Sequence, residues 1–443
     1  MQMFDWIMSS PQSESDNPSI LDSNDSLASF RSAFHIPEKD GKELIYFCGN
    51  SLGLQPIAVS QSVQSELNDW ATLGVEGHVH ASRPWVSYHE QFARSLAALT
   101  GSLESEVVAM NALTVNLHLL LVSFYRPTPT RFRIICEEKA FPSDLYALQS
   151  QAKLHGLDPT EVIRIVPAGK DTQTIDEHAL LQAIREEGPR LALIMIGGVN
   201  YYTGQVFDMA ALTRAAHDVG AYAGFDLAHA IGNIELHLHG WNVDFAAWCS
   251  YKYLNSGPGG VAGAYIHERH ARSDELFRLA GWWGTDKAKR FLMEPEFQPI
   301  ASAESWQLSN APVLSMAAHK ASLDLFDQAG IQNVIAKSRN LTAYAASLLA
   351  RIAEHPDFNN AFTVITPTQR GAQLSLLFHR NGKAVFDALS RAGVIADWRE
   401  PNVIRIAPAP LYNTYSEVKE FAVLLEEAVL NEIGEDKNMT QDL

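Results

Sequence analysis

One lysine stands where a short apolar run meets a glycine-rich turn. Lys252 follows the run at residues 244–248 and precedes the turn at residues 257–259. The aromatic side chains of Tyr251 and Tyr253 would exclude water from its amine, and this favours the neutral nucleophilic form that condenses with an aldehyde. A lysine whose ammonium extends from a strand edge to water explains the same residues. The segment alone is compatible with both interpretations.

A carboxylate upstream favours the first interpretation. Asp226 ends the apolar run at residues 221–226, as a residue at the carboxyl end of a strand would. In a parallel α/β sheet these strand ends form the ligand crevice, so we expect Asp226 and Lys252 to project into one site. Pyridoxal 5′-phosphate requires such a pair: a lysine holds its aldehyde as a Schiff base, and a carboxylate keeps its pyridine nitrogen protonated.

A metal site is the competing interpretation of the same region. Asp226, His229, His237 and His239 are all possible ligands. Their spacing does not match that of a compact zinc site. We therefore expect no metal.

The phosphate of the cofactor requires an anion site. The segment from Met110 reads as a turn entering a helix, so the backbone N–H groups of Leu113 and Thr114, with the threonine hydroxyl, would face an anion. A plain helix cap by Thr114 explains these residues equally well. Phe141, after the strand-like residues 132–136, would lie on the cofactor ring; the alternative is a hydrophobic staple beside a capping Ser143 or Asp144.

Taken in order, these segments resemble the kynureninase family, whose members are aminotransferase-like, fold type I pyridoxal phosphate enzymes. The resemblance covers roughly residues 45 to 410. The matching stretches are residues 48–56, 77–78, 83–85, 111–118, 141–144, 201–205, 224–230, 250–255, 281–282, 309–312 and 401–408.

The resemblance implies three catalytic residues: Lys252 bears the Schiff base, Asp226 pairs with the pyridine nitrogen, and Tyr202 touches the phosphate and donates a proton. Substrate binding is implied for His78 and Asn310 at the aromatic ring and for Arg405 at the carboxylate. The implied cofactor contacts are Leu113, Thr114, Phe141, Pro142, Ser143, Asp144, Asp226, His229, Tyr251, Lys252, Trp282 and Asn310.

Some of these residues have simpler interpretations. Asn310 would also cap the helix that follows it, Trp282 would also belong to a packed core, and Arg405 would also pair with a surface acid. One position departs from the family pattern: at Gly197 the family leads us to expect a hydroxyl side chain that contacts the cofactor.

The implied activity is hydrolytic Cβ–Cγ cleavage of L-kynurenine, or of its 3-hydroxy derivative, to anthranilate (or 3-hydroxyanthranilate) and L-alanine, in tryptophan catabolism and NAD biosynthesis. Two alternatives remain open. A related lyase, such as a cysteine desulfurase or selenocysteine lyase, would keep Lys252 and Asp226 but usually needs a mobile cysteine, and Cys249 lies in a strand-like run. A cofactor-binding protein without turnover would have no need of Arg405.

Composition indicates the class of protein. The 443 residues are 47% hydrophobic and carry a formal charge of −17, which argues against general affinity for nucleic acid or anionic lipid. The three cysteines, Cys48, Cys136 and Cys249, are too few and scattered for a disulfide framework, so a cytoplasmic location is expected. No apolar run is long enough to span a membrane, and we expect no signal peptide.

Strand-like and helical runs alternate between about residues 65 and 310, which predicts an α/β fold with a mainly parallel sheet and flanking helices. The later part predicts a smaller α+β domain. We expect residues 1–64 to form an N-terminal arm and part of the small domain, residues 65–312 the large cofactor-binding domain, and residues 313–443 the small domain. Polar residues 9–29 and acidic residues 432–443 are expected to be a loose arm and a solvated tail. The family resemblance implies a homodimer that shares its sites.

Overall fold

The computed structural model of the protein describes residues 17–273, 275–358 and 360–439, with only the backbone described at residues 357 and 433–439. Its strands are β1 (Glu38–Lys39), β2 (Lys42–Glu43), β3 (Ile45–Tyr46), β4 (Val107–Ala109), β5 (Arg133–Glu137), β6 (Ile163–Val166), β7 (Leu191–Gly197), β8 (Tyr222–Asp226), β9 (Phe245–Trp248), β10 (Gly263–Ile266), β11 (Phe362–Val364), β12 (Leu374–Phe378), β13 (Val394–Ile395), β14 (Asp397–Arg399) and β15 (Val403–Ile406).

The α-helices are α1 (Pro18–Ser23), α2 (Ala58–Leu73), α3 (Gly77–His80), α4 (Ala93–Thr100), α5 (Leu113–Phe124), α6 (Pro142–Leu154), α7 (Pro159–Val162), α8 (Glu177–Glu187), α9 (Met209–Asp218), α10 (Glu268–Ala271), α11 (Val313–Ala329), α12 (Ile331–Ala353), α13 (Gly382–Arg391) and α14 (Tyr415–Met439). Short 3₁₀ helices connect several of them. Within the described residues, no helix is both long enough and apolar enough to cross a membrane.

The chain divides into two compact units. The larger unit contains Ile57–Tyr201 and Gln205–Ile331, and the smaller contains the described parts of Met1–Pro56, Tyr202–Gly204 and Gln332–Leu443. These junctions differ from the expected ones at 64/65 and 312/313. Helix α11 belongs to the larger unit because it packs along α2 there.

The larger unit is built on a seven-stranded sheet with the order β4-β10-β9-β8-β7-β5-β6. The strands from β9 to β6 pair in parallel, and β10 runs antiparallel to both β9 and β4. Strands β8 and β9 are almost entirely buried, as expected for a sheet covered on both faces. Helices α5 and α6 contribute to a core with the strands, in which Phe124 stacks on Phe245 at a centroid distance of 4.6 Å. The predicted α/β fold with a mainly parallel sheet is confirmed.

The smaller unit contains a four-stranded antiparallel sheet with the order β11-β12-β15-β14. Its core includes buried side chains from α12 and α14, among them Leu341, Leu348 and Phe421, and these cover strand residues such as Ile404. The predicted α+β character of this part of the chain is confirmed.

The expectation of a loose arm is wrong from residue 17 onward, while residues 9–16 lie outside the described residues. Asn17 caps α1, and the carboxylate of Asp22 accepts hydrogen bonds from the backbone N–H groups of Tyr415 and Ser416 at the start of α14. Asp25 forms an ion pair with the buried Lys337 at 2.6 Å. In the acidic tail, the backbone is helical as far as Met439, and residues 440–443 lie outside the described residues.

Candidate active site

The carboxyl ends of the central strands surround a cavity of about 270 Å³, which we call the first cavity. Strands β5, β7 and β8 end at Glu137, Gly197 and Asp226, and all three residues line it. Nine residues predicted as cofactor contacts also line the first cavity: Leu113, Thr114, Phe141, Ser143, Asp144, Asp226, His229, Tyr251 and Lys252.

Lys252 lies four residues beyond the end of β9 and is 9% exposed. Its Nζ is 3.0 Å from Nε2 of His229 and 5.6 Å from the centroid of the Phe141 ring. The loop that carries it is closed by a 2.6 Å hydrogen bond between the hydroxyls of Ser250 and Ser256, and Asn255 adopts a left-handed φ of 52°. The amine is therefore held against an imidazole and an aromatic ring.

Asp226 and Asp144 form a buried carboxyl pair in the first cavity. Burial, the adjacent Asp226 and Glu137 raise the pKa of Asp144 well above its usual range, which favours the protonated form of Asp144 beside Asp226. Burial also raises the pKa of Asp226, although the hydrogen bond from Asp144, the charge of Lys252 and the backbone N–H of Ala228, 2.7 Å from Oδ1, oppose that effect. These opposing effects favour Asp226 as the ionised member of the pair.

These residues fit pyridoxal phosphate. Asp226 offers a carboxylate to a protonated ring nitrogen, and Lys252 offers an amine to the aldehyde. Phe141 is partly exposed and lines the first cavity, where its face can cover a flat ring. Ala112, which precedes α5, makes no capping hydrogen bond through its side chain, so the first N–H groups of this helix suit an anion.

Glu137 is a residue of the first cavity that the sequence reasoning missed. It is 3% exposed, and its Oε1 accepts a 3.0 Å hydrogen bond from the backbone N–H of Gly197. Burial raises the pKa of this carboxyl to about 7. A Cβ atom on Gly197 would lie 3.1 Å from Oε1 of Glu137, so this carboxyl occupies the space beside the position where a hydroxyl side chain was expected. The position of Glu137 directly after the predicted strand at residues 132–136 was the available signal.

Three other predicted residues line a different cavity of about 740 Å³ in the larger unit, which we call the second cavity: His78, Trp282 and Asn310. The indole N–H of Trp282 donates to the carbonyl of Arg290 at 2.9 Å, and Nδ1 of His78 is 3.0 Å from the carbonyl oxygen of Val75. Within this chain, these three residues therefore line the second cavity and not the first.

The remaining predicted residues have other positions. Pro142 is the first residue of α6, where a proline costs no helical hydrogen bond. Tyr202 and Arg405 both belong to the smaller unit and are buried there. Arg405 donates a hydrogen bond to Oδ2 of Asp397.

The residues of the metal hypothesis are divided among different partners. His237 lies beside Glu235, and Nδ1 of His239 is 3.0 Å from Glu106, whereas Asp226 and His229 line the first cavity. No group of metal-ligating atoms among the described residues combines Asp226 with His229.

Cys249 bears on the lyase alternative. It is buried immediately after β9, and burial raises the pKa of its thiol. A buried neutral thiol is inert, so this cysteine does not suit the nucleophile of a desulfurase.

The fold is shared with solved structures of low sequence identity. The apo structure of a cysteine desulfurase from Thermococcus onnurineus NA1 has a TM-score of 0.71 and 18% identity, and covers 87% of this chain and 94% of that one. A C-DES mutant with glycine covalently linked to the PLP cofactor has a TM-score of 0.72 and 16% identity, and covers 87% of this chain and 96% of its own.

Sequence relatives give the family. A family model described as the kynureninase C-terminal domain matches residues 334–425. The kynureninase of Christiangramia forsetii is 50% identical over 93% of this chain and 97% of its own length, and that of Myxococcus xanthus is 50% identical over 92% and 95%. The chain belongs to the kynureninase family of pyridoxal phosphate-dependent hydrolases.

Proposed function

We propose that the protein binds pyridoxal 5′-phosphate in the first cavity and hydrolyses the Cβ–Cγ bond of L-kynurenine, which yields anthranilate and L-alanine. One observation carries the assignment of residues to this reaction. The amine of Lys252 and the carboxyl pair of Asp226 and Asp144 line the same cavity, beside the start of α5.

When bound, the cofactor supplies an electron-withdrawing ring that stabilises negative charge on the substrate carbon next to the amine. Lys252 would hold the aldehyde and then move the proton at Cα of the substrate. His229, 3.0 Å from Nζ, would orient that amine. Asp226 would keep the ring nitrogen protonated, with Asp144 supporting it through a shared proton.

Bond cleavage requires groups that act on the substrate itself. Water adds to the γ-carbonyl, and the Cβ–Cγ bond breaks as this carbon becomes a carboxylic acid. Cβ then needs a proton, for which we assign the phenol of Tyr202 as donor. We assign Arg405 to the substrate carboxylate, because a guanidinium binds a carboxylate with two parallel hydrogen bonds and stays charged.

The experiment is to mix the purified, cofactor-loaded protein with L-kynurenine and to follow the fluorescence of anthranilate. We expect turnover in the wild type, and loss of both turnover and the visible absorption of the bound aldehyde in Lys252→Ala. Sulfide release from L-cysteine, measured in parallel, tests the related lyase activity. Sulfide without anthranilate would contradict the proposed function, and full activity of Lys252→Ala would contradict the assignment of the lysine.

We also propose that two copies of the chain form a homodimer whose sites are shared. The support is that His78, Trp282 and Asn310 line the second cavity, although the family resemblance assigns them to the cofactor and the substrate. The exposed apolar side chains around this cavity include Val79, Trp282 and Phe291, a surface that suits burial against another protein chain.

Mixing two inactive variants tests the shared site. Lys252→Ala and Asn310→Ala should each be poorly active alone. If each site takes Lys252 from one copy and Asn310 from the other, a mixed dimer contains one intact site, and activity should return toward about a quarter of the wild-type value after subunit exchange. A monomer by light scattering, or no recovery in mixed dimers, would contradict the proposal.

We assign the choice between kynurenine and its 3-hydroxy derivative to His78 and Asn310. A single hydrogen bond would change the ratio of specificity constants by about 10-fold to 100-fold. Comparing kcat/KM for the two substrates in wild type and His78→Ala measures this ratio.

We further propose a cytoplasmic location, supported by three cysteines that form no disulfide among the described residues.

A further inference from the structure

Residues Tyr202–Gly204 belong to the smaller unit, although Tyr201 before them and Gln205 after them belong to the larger one. Gly204 packs closely against other residues of this unit: a Cβ atom on it would lie 3.2 Å from a methyl group of Thr366 and 3.3 Å from the carbonyl oxygen of Gln373. With a φ of 78°, this position also favours glycine over any other residue.

Three buried side chains hold the peptide groups of this segment. Oγ of Ser375 donates to the carbonyl oxygen of Tyr202 at 2.8 Å, and Nε2 of Gln373 donates to the same oxygen at 3.4 Å. Oγ1 of Thr366 donates to the carbonyl oxygen of Thr203 at 2.6 Å. The carbonyl group of the assigned proton donor is thus held by Ser375 of β12 and by Gln373 just before that strand, and Thr366 holds the next peptide group.

The three side chains are themselves fixed. Oγ1 of Thr366 accepts a hydrogen bond from the backbone N–H of Ser375 at 2.8 Å, and Nε2 of Gln373 also donates to Oγ of Ser375 at 3.0 Å. Oε1 of Gln373 accepts from Nδ2 of Asn50 at 3.1 Å. A buried network in which each member has partners is rigid.

The same strand neighbours Arg405. Ser375 on β12 lies directly opposite Arg405 on β15, so their side chains share one face of the sheet. The anchor of Tyr202 and the assigned carboxylate-binding arginine are therefore adjacent residues of one hydrogen-bonded ladder.

We propose that Ser375, supported by Gln373, is a positioning residue for the proton donor. It fastens the Tyr202 peptide to the sheet that carries Arg405, so that one rigid element places both the group that binds the substrate carboxylate and the group that protonates Cβ. This inference rests on the proposed function, because Tyr202 and Arg405 have these roles only in that reaction.

Ser375→Ala tests it. We expect kcat for anthranilate formation to fall about 10-fold to 100-fold, because small displacements of a catalytic group are costly, while KM changes by less than about 3-fold. Ser375→Thr keeps the hydroxyl and should restore kcat to within a few-fold of wild type. Ser338→Ala is the matched control, since it removes another buried hydroxyl of the smaller unit, one without a hydrogen-bond partner among the described residues; its kcat should be unchanged.

A double-mutant cycle shows whether Ser375 acts through Tyr202. Tyr202→Phe removes the phenol but keeps the anchored carbonyl, so Ser375→Ala should cost little more in that background. Full additivity, or a kcat for Ser375→Ala within 2-fold of wild type, would overturn the inference. If Ser375→Ala does not fold, Thr366→Val replaces it as the test. This variant frees the Thr203 carbonyl and should show the same loss confined to kcat. An unchanged kcat in Thr366→Val would then overturn the inference. A wild-type protein without turnover would instead overturn the proposed function.

Discussion

Asp397 and Arg405 lie directly opposite each other on strands β14 and β15, and the guanidinium of Arg405 donates to Oδ2 of Asp397. Arg405 is 1% exposed, so it carries a buried charge that this carboxylate compensates. Arg399 donates to the same oxygen at 3.0 Å. Asp397 therefore fixes one edge of the guanidinium.

Asp397→Asn should weaken substrate binding more than turnover. With the carboxylate gone, Arg405 loses the charged partner that orients it, so we expect KM for L-kynurenine to rise about 10-fold while kcat falls less, consistent with a loss of roughly 1–2 kcal/mol of binding. Initial rates by anthranilate fluorescence give both constants. Glu400→Gln, at an exposed position three residues after Asp397, is the control for loss of one acidic charge. An unchanged KM would show that the assigned carboxylate clamp does not depend on Asp397.

The two carboxyls of the first cavity should respond differently to the same substitution. Burial and Asp226 raise the pKa of Asp144, which favours its neutral form, and an asparagine, also neutral and a hydrogen-bond donor, can replace it. Asp144→Asn should therefore keep about a tenth or more of kcat, whereas Asp226→Asn, which removes the negative charge at the ring nitrogen, should lower kcat by about 10³-fold. Steady-state rates and the visible absorption of the cofactor report on both. Equal losses would contradict the assignment of the proton to Asp144.

The sequence predicted the parts of the site that follow from strand ends. Asp226 ends β8, and Lys252 follows β9, because in a parallel sheet these ends meet at one edge. The glycine-rich turn expected at residues 257–259 is also present, where the backbone N–H of Gly260 donates to the carbonyl oxygen of Gly257 at 3.0 Å. These are local patterns, and they need no knowledge of distant residues.

Long-range contacts were not predictable in the same way. Residues 17–29 looked like a loose polar arm, but Asp22 caps a helix that begins at Tyr415 and Asp25 pairs with Lys337. The role of Glu137 depends on the absence of a side chain at Gly197, which lies on the neighbouring strand. Polar residues whose partners are far away in the sequence leave no periodic signal.

Glu137 should make stability depend on pH. Its folded-state pKa of about 7 lies above the ordinary value of 4.5, so its stabilising contribution is fully present below pH 4.5 and is lost as the pH rises to about 7. In cofactor-free protein, Glu137→Gln removes this dependence. The variant should gain a few degrees of melting temperature relative to wild type between pH 5 and pH 7.5.

Melting curves at several pH values measure this difference. Glu161→Gln, at an exposed position, is the control for removal of one carboxylate. A difference between wild type and Glu137→Gln that stays constant across the range would contradict the raised pKa.

Gly197 should tolerate a hydroxyl side chain but not a larger one. A Cβ atom there would lie 3.1 Å from Oε1 of Glu137 and 3.5 Å from the carbonyl oxygen of Val199, so serine requires a shift of only a few tenths of an ångström. We expect Gly197→Ser to change the dissociation constant of pyridoxal phosphate by less than about 3-fold. The branched side chain in Gly197→Val would displace Glu137 and enter the cavity, and should weaken binding by at least about 10-fold.

Absorbance titration of cofactor-free protein with pyridoxal phosphate gives these constants. Gly240→Val is the matched control, because the nearest atom to a Cβ there is a backbone oxygen at 3.7 Å and the residue is exposed. Tight binding by Gly197→Val would mean that this edge of the first cavity does not face the cofactor. Loss of binding in Gly197→Ser would mean instead that the Glu137 side chain cannot move aside. Glycine would then be required at position 197 because the Glu137 carboxyl fills the place of the expected hydroxyl.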